Sequence, residues 1–181
     1  MPTATDRDFL DMPVTDVRRI PAAGQHHYVV LLQEADSGRR LPIWIGRETA
    51  LEIAFRLLGS TIGRPLGSDL AARLIQALGG SLREVRIDRL VEGTYYAVVV
   101  VDGPQCTAEV DARPSDALVL ALVVGSPIRA DRAVVETTES SEAVAEAFAA
   151  IDSQQAAGPR ALLDELVEEA RRHDPPEPAS P

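Results

Sequence analysis

Residues 111–125 read Asp-Ala-Arg-Pro-Ser-Asp-Ala-Leu-Val-Leu-Ala-Leu-Val-Val-Gly, four polar side chains in six residues feeding a stretch that is apolar throughout. A segment apolar on every side has to be enclosed, so the fold must wrap around whatever forms here. Upstream, Thr107, Glu109 and Asp111 alternate with Ala108 and Val110, the period of a strand. Pro114 suits a first helical position, where its missing N–H costs nothing. Ser115 and Asp116 would then meet the unpaired N–H groups and positive dipole of a first turn. Gly125 and Pro127 supply a stop. Taken alone, the run 117–124 is equally compatible with a buried strand.

An internal echo favours the helix. Ala50-Leu-Glu-Ile-Ala-Phe-Arg-Leu-Leu-Gly-Ser-Thr-Ile62 resembles Ala117-Leu-Val-Leu-Ala-Leu-Val-Val-Gly-Ser-Pro-Ile128, apart from one inserted residue. In the first copy Glu52 and Arg56 stand four apart on an apolar background, the spacing of one helix face. Strand-like segments precede both copies, 41–45 and 106–111. The expectation is an α+β fold with an antiparallel sheet, built from a duplicated strands-then-helix unit.

The remaining elements follow from period and punctuation. Strands are expected at 14–20, 27–34, 40–45, 82–90, 94–101 and 106–111, with a short one at 127–130. Turns fall at 35–38, at Glu92-Gly93 and at Asp102-Gly103-Pro104. Helices are expected at 48–58, from Ser68-Asp69 to Gly79-Gly80, and at 115–124. Ser68 reads as a helix N-cap. Glu48 reads as a dipole partner in its first turn. Trp44, in an apolar strand, reads as core rather than as a platform for stacking a base. From Thr137 the character changes, with two acidic helices at 140–151 and 159–173. The second carries Leu162, Leu163, Leu166, Val167 and Ala170 on one face, to be laid on the body or on a partner subunit. The expected organisation is a domain at 12–136, an acidic helical extension at 137–173 and a disordered tail at 174–181.

Composition limits the function classes. Of 181 residues 45% are hydrophobic but only 4% aromatic, so the core must be aliphatic. No stretch reaches the roughly 20 apolar residues of a membrane span, and the polar opening is unlike a secretory signal. A lone Cys106 excludes an intrachain disulfide, and a cytoplasmic location is expected. Net charge is −10, and all 18 basic residues are arginine. Ten acidic and three basic residues lie in 137–181, so the extension carries most of the net charge. A local basic surface from Arg18, Arg19, Arg39, Arg40, Arg64 and Arg73 would suit phosphate; a solvated mixed-charge surface is the plainer reading. Gly59–Gly67 lacks the Gly-Lys-Ser/Thr ending of a phosphate loop, and no Cys/His spacing suggests structural zinc.

Three strings, Leu41-Pro-Ile-Trp-Ile-Gly46, Arg64-Pro-Leu66 with Asp69-Leu70, and Asp111-Ala-Arg-Pro-Ser-Asp-Ala117, resemble those of the bifunctional nuclease family. The Leu78-Gly79-Gly80 helix end and Gly93-Thr-Tyr-Tyr96 stand between them in the right order. The resemblance covers about residues 14–136. It implies an α+β fold, cleavage of both DNA and RNA with low sequence specificity, and a homo-oligomer, with a dimer favoured. One departure is clear. The family's helix-opening motif usually reads Arg-Pro-x-Thr-His-Asp-Leu, and here Ser68 stands where histidine is expected. Histidine trades protons near neutral pH and serine does not.

Phosphodiester hydrolysis needs a positioned water, charge neutralisation and help for the leaving oxygen. The expected catalytic set is Asp111, Arg113, Asp116 and Asp69. Arg64, Ser115 and Ser68 are expected to bind substrate. A divalent metal, Mg or Mn, would be held by Asp111, Asp116 and Glu109. A structural reading competes: Asp116 suits a first turn, Arg113 bridges Asp111 and Asp116, and Ser115 only caps. His26 or His27 would be the nearest replacements for the missing imidazole. Two other functions stay open, a non-catalytic binding or regulatory module and a scaffold whose acidic helices bind a partner.

Overall fold

A computed structural model of the chain describes residues 7–22, 25–60, 63–153 and 158–173. Three antiparallel strands, β2 (Val14–Ala22), β3 (Gln25–Gln33) and β4 (Arg40–Ile45), form one sheet and lead into α1 (Arg47–Leu57). After α2 (Gly67–Ala77), three more antiparallel strands lead into α3 (Pro114–Val124). These are β5 (Ser81–Val91), β6 (Thr94–Asp102) and β7 (Thr107–Ala112). The strands-then-helix unit therefore occurs twice. The second sheet is completed by β8 (Ile128–Asp131), parallel to β5, and by β1 (Phe9–Asp11), giving the order β1-β8-β5-β6-β7.

The apolar run at 117–124 is a helix at the centre of this arrangement. Ala117, Leu118, Val119, Leu120 and Ala121 are all buried, and α3 packs on β5 and β6 and against α1 and α2. Pro114 occupies the first turn, and Gly125 closes the helix in the left-handed region at φ 76°, donating its N–H to Ala121 O at 2.7 Å. That conformation suits glycine because a Cβ there meets the following carbonyl. Glu92 and Gly93, both with positive φ, make the two-residue turn of the β5–β6 hairpin.

Two elements escape the sequence reading. β1 has three residues and exists by pairing with β8. α4 (Arg132–Glu139) opens on Asp131, whose carboxylate accepts the Ala133 N–H at 2.9 Å; the compositional change at Thr137 falls inside this helix.

The two acidic helices, α5 (Glu142–Ser153) and α6 (Pro159–His173), lie on the body. Ala147 and Ile151 of α5 pack on Ile20 and Val29, while Leu162, Leu163 and Leu166 of α6 join the main core. Their charges meet arginines of the first sheet. Arg40 holds both carboxylate oxygens of Asp152, at 2.7 and 3.2 Å, and Arg19 pairs with Glu165. Arg18 and Arg39 likewise pair, with Asp16 and Glu136. Four of the six arginines considered for a basic surface are thus neutralised. The tail at 174–181 lies outside the described residues. Among the described residues no helix is long and apolar enough to cross a membrane.

Candidate functional site

Two clefts flank the start of α3. The first, about 600 Å³, lies between α1, α2, α3 and the β6–β7 edge. Its floor is apolar, from Ile75, Val99, Val101, Val110 and Leu120, and its polar residues are Thr49, Glu52, Ser68 and Asp116. The second, about 420 Å³, is bounded by Ile43, Trp44, Tyr95, Tyr96, Asp111, Arg113 and Ser115.

Arg113 joins the two. It is the residue immediately before α3, and Asp116 is three positions into the helix. Nε and Nη2 of Arg113 donate to the two carboxylate oxygens of Asp116 at 2.7 and 2.9 Å. The pair is a planar fork on a carboxylate, and the carboxylate raises the already high pKa of the guanidinium. Both side chains stay in solvent, 79% and 54% exposed. A guanidinium has five N–H donors, so three remain available.

The first cleft is organised by a network from α1 to α2. Ser68 Oγ donates to Glu52 Oε1. Arg56 Nη2 donates to the same oxygen at 3.3 Å and to Asp69 Oδ2 at 2.8 Å. Asp69 Oδ2 also accepts the Leu66 N–H at 2.8 Å, which ties the carboxylate to the start of α2. The hydrogen bond from Arg56, then that from Leu66, lowers the Asp69 pKa below the usual carboxylate range. Asp69 in turn raises Arg56. Glu52 Oε2 has no partner among the described residues and belongs to a residue lining the cleft.

Several expectations are revised by this geometry. Ser68 is not the cap of α2: Leu66 holds that position, and Ser68 sits two positions further in, bonded across to Glu52. Trp44 is not core. It is 40% exposed, because strand alternation turns Ile43 inward and Trp44 out. Asp111, Asp116 and Glu109 are not brought to one point. Val110 and Ala112 line the cleft that holds Asp116, so the alternating Glu109 and Asp111 leave the other face of β7. Glu109 pairs there with Arg86. Among the described residues no three His, Cys, Asp or Glu side chains converge to hold a metal ion, so the donors do not fit the expected centre. Asp111 does not pair with Arg113 either, and its side chain makes no hydrogen bond or ion pair among the described residues.

The other expected residues are dispersed. Arg64 is exposed in the loop before α2. Ser115 lines the second cleft. Asp69 acts on the first cleft through Arg56. His26 and His27 lie on β3 opposite Pro21 and Ile20 and line neither cleft. Glu52 is the residue the sequence reading passed over. Its signal was a charge on an apolar helix, taken only as a mark of helical spacing.

Comparison with known proteins adds the lineage. An uncharacterized protein of Mycobacterium tuberculosis is 49% identical over 111 residues, covering 61% of this chain and 66% of its own length. Bifunctional nuclease 1 of Oryza sativa subsp. japonica is 27% identical over 121 residues, 65% of this chain and 37% of its own. Bifunctional nuclease 1 of Arabidopsis thaliana is 26% identical over 117 residues, 62% of this chain and 36% of its own. The chain thus spans just under two thirds of the mycobacterial relative and little more than a third of the plant ones. The family model for the bifunctional nuclease domain matches residues 30–143, from within β3 to the start of α5. By that match, over more than half its length, the chain belongs to the bifunctional nuclease domain family.

Proposed function

We propose that the chain is a nuclease that hydrolyses phosphodiester bonds of DNA and RNA with low sequence specificity, at the cleft between α1, α2 and α3. The observation that carries this reading is an uncommitted carboxylate, Glu52, lining this cleft, with the exposed Arg113 guanidinium of the neighbouring cleft paired to Asp116 on its wall. Glu52 Oε2 is unpartnered among the described residues, and Arg113, held by Asp116, keeps three N–H donors toward solvent.

In this mechanism Glu52 takes the proton of the attacking water, its orientation fixed by Ser68 and Arg56 on its other oxygen. The bond to the leaving oxygen breaks, and that oxygen takes a proton from solvent. Arg113 grips the phosphate and meets the negative charge that develops on it, while Asp116 holds the guanidinium plane in place. Asp69 is a positioning residue, acting through Arg56. Arg64 holds a neighbouring phosphate from the loop before α2. Relatives named bifunctional nuclease support the choice of substrate.

A second reading has its own support. Ser68 stands at the family's histidine position, and no histidine lines either cleft among the described residues. A binding or regulatory module would keep the fold and lose the proton carrier. Cleavage of plasmid DNA and single-stranded RNA by wild type, Glu52→Gln and Ser68→His separates the two. Activity in wild type that falls in Glu52→Gln supports the nuclease. Well-folded but inactive wild type, with activity gained in Ser68→His, supports the module.

The homo-oligomer implied by the resemblance has a candidate surface in α2. Leu70 and Leu74 of α2, with Leu78 at its C-cap, stand at helical spacing and are exposed. A second copy of this chain would cover them.

A further inference from the structure

The second cleft collects an unusual share of a scarce resource. The chain has one tryptophan, three tyrosines and three phenylalanines, and Trp44, Tyr95 and Tyr96 all line this single cavity. Two of them face solvent, Trp44 at 40% and Tyr96 at 36% exposure. Aromatic rings left in water at the rim of a polar cleft forgo their burial, which is unfavourable unless something is to be laid on them.

Their surroundings name the class of ligand. Arg113 lines the same cavity with most of its side chain exposed. The Arg89 guanidinium lies over one face of the Tyr96 ring, 4.9 Å from its centre. Asp111 and Ser115 line the wall with no hydrogen bond or ion pair of their side chains among the described residues. An acceptor and a hydroxyl are thereby left for the edge of a ring bearing N–H groups. Tyr95 is different. Its hydroxyl is engaged by Thr138 Oγ1 at 3.1 Å, and burial raises its pKa, so it forms a fixed wall.

We propose that this cleft is a base-binding subsite for single-stranded nucleic acid, in which an unpaired base lies on Trp44 and Tyr96, its edge is met by Asp111 and Ser115, and the adjoining phosphate is held by Arg113. Stacking on aromatic rings beside a cation is the general solution for single strands, because every base presents a π face. A base inside a duplex has both faces covered and does not reach such a cleft. Arg113 lines this cleft and pairs with Asp116 of the carboxylate cleft, so a strand anchored here by its base lies beside that cleft. The inference rests on nucleic acid being the ligand, but not on cleavage.

Trp44, as the only tryptophan, reports directly on the site. The full chain is titrated with a thymidine strand of roughly ten nucleotides, within the usual site sizes of single-strand binders. A duplex of equal length and thymidine monophosphate are titrated alongside, and strand integrity is checked on a gel. Expected is quenching of Trp44 emission by the single strand, at least about tenfold tighter binding than the duplex, and weaker binding of the mononucleotide. With a dye-labelled strand followed by anisotropy, Trp44→Ala and Tyr96→Ala each weaken binding by about tenfold or more, while Trp44→Phe stays near wild type. Equal affinity for single strand and duplex, or unchanged affinity in folded Trp44→Ala, overturns the subsite. Mononucleotide binding as tight as the strand overturns the single-strand assignment. Binding without cleavage leaves the subsite standing and removes only the nuclease.

Discussion

Arg113 holds both carboxylate oxygens of Asp116 through Nε and Nη2, at 2.7 and 2.9 Å, while most of the guanidinium side chain remains in solvent. Two residues of one helix start thereby connect two clefts, one with Glu52 and Ser68, the other with Trp44 and Tyr96. An exposed ion pair of this kind contributes little to stability. The bidentate contact does fix the plane of a guanidinium that still has donors free.

The fork is specific to arginine. Arg113→Lys keeps the charge but loses the bidentate geometry, so KM for single-stranded RNA should rise about tenfold with little change in the urea midpoint. A KM equal to wild type would show that the guanidinium does not hold the phosphate.

Asp69 should make stability depend on pH. Its folded pKa is lowered by Arg56 and by the Leu66 N–H. The stabilisation is therefore present above the ordinary aspartate pKa near 4, and is lost as pH falls through the lower folded value. Asp69→Asn should cost about 1 kcal/mol at pH 7, with the gap to wild type closing as pH drops below about 4. Urea titrations at several pH values check this, and a gap constant down to pH 2 would contradict it.

Ser68 sits one hydrogen bond from Glu52. Placing an imidazole there in Ser68→His should raise cleavage at least about tenfold near neutral pH, with an inflection at about 6–7. Rates measured across pH 5–9 test this; a flat ratio to wild type would mean that the cleft cannot use a proton carrier at that position.

Glu109 and Asp111 on one face of β7, with Asp116 on α3 beside the other, make a poor preformed cation site. Calorimetric titration of Mg²⁺ or Mn²⁺ into the nucleic-acid-free protein should give no binding tighter than roughly the millimolar range, at the weak end for oxygen-ligand sites. Micromolar binding would show that Asp111, Asp116 and Glu109 converge after all.

Most of the framework was legible in the sequence because it is written in local periods. Strand alternation and helix stops located β2 to β7 and α1 to α3, and the echo between residues 50–62 and 117–128 pointed to the repeated unit. What was missed depends on distant partners. β1 is a three-residue strand that exists by pairing with β8. Trp44 follows its strand's alternation outward, but an apolar neighbourhood concealed which face was buried. The charged corner at 111–116 was visible as a candidate, yet the alternation of β7 turns Asp111 to one cleft while Asp116, on α3, lines the other. Glu52 enters only when α2 is laid across α1 and Ser68 reaches it, a contact no local pattern specifies.

The most direct test is single-turnover cleavage of a short single-stranded RNA by wild type and Glu52→Gln, both shown to be folded by circular dichroism. Loss of the general base should lower the rate by about 100-fold or more, while binding of the strand is retained. Cleavage by Glu52→Gln at the wild-type rate would contradict the assignment of hydrolysis to this cleft.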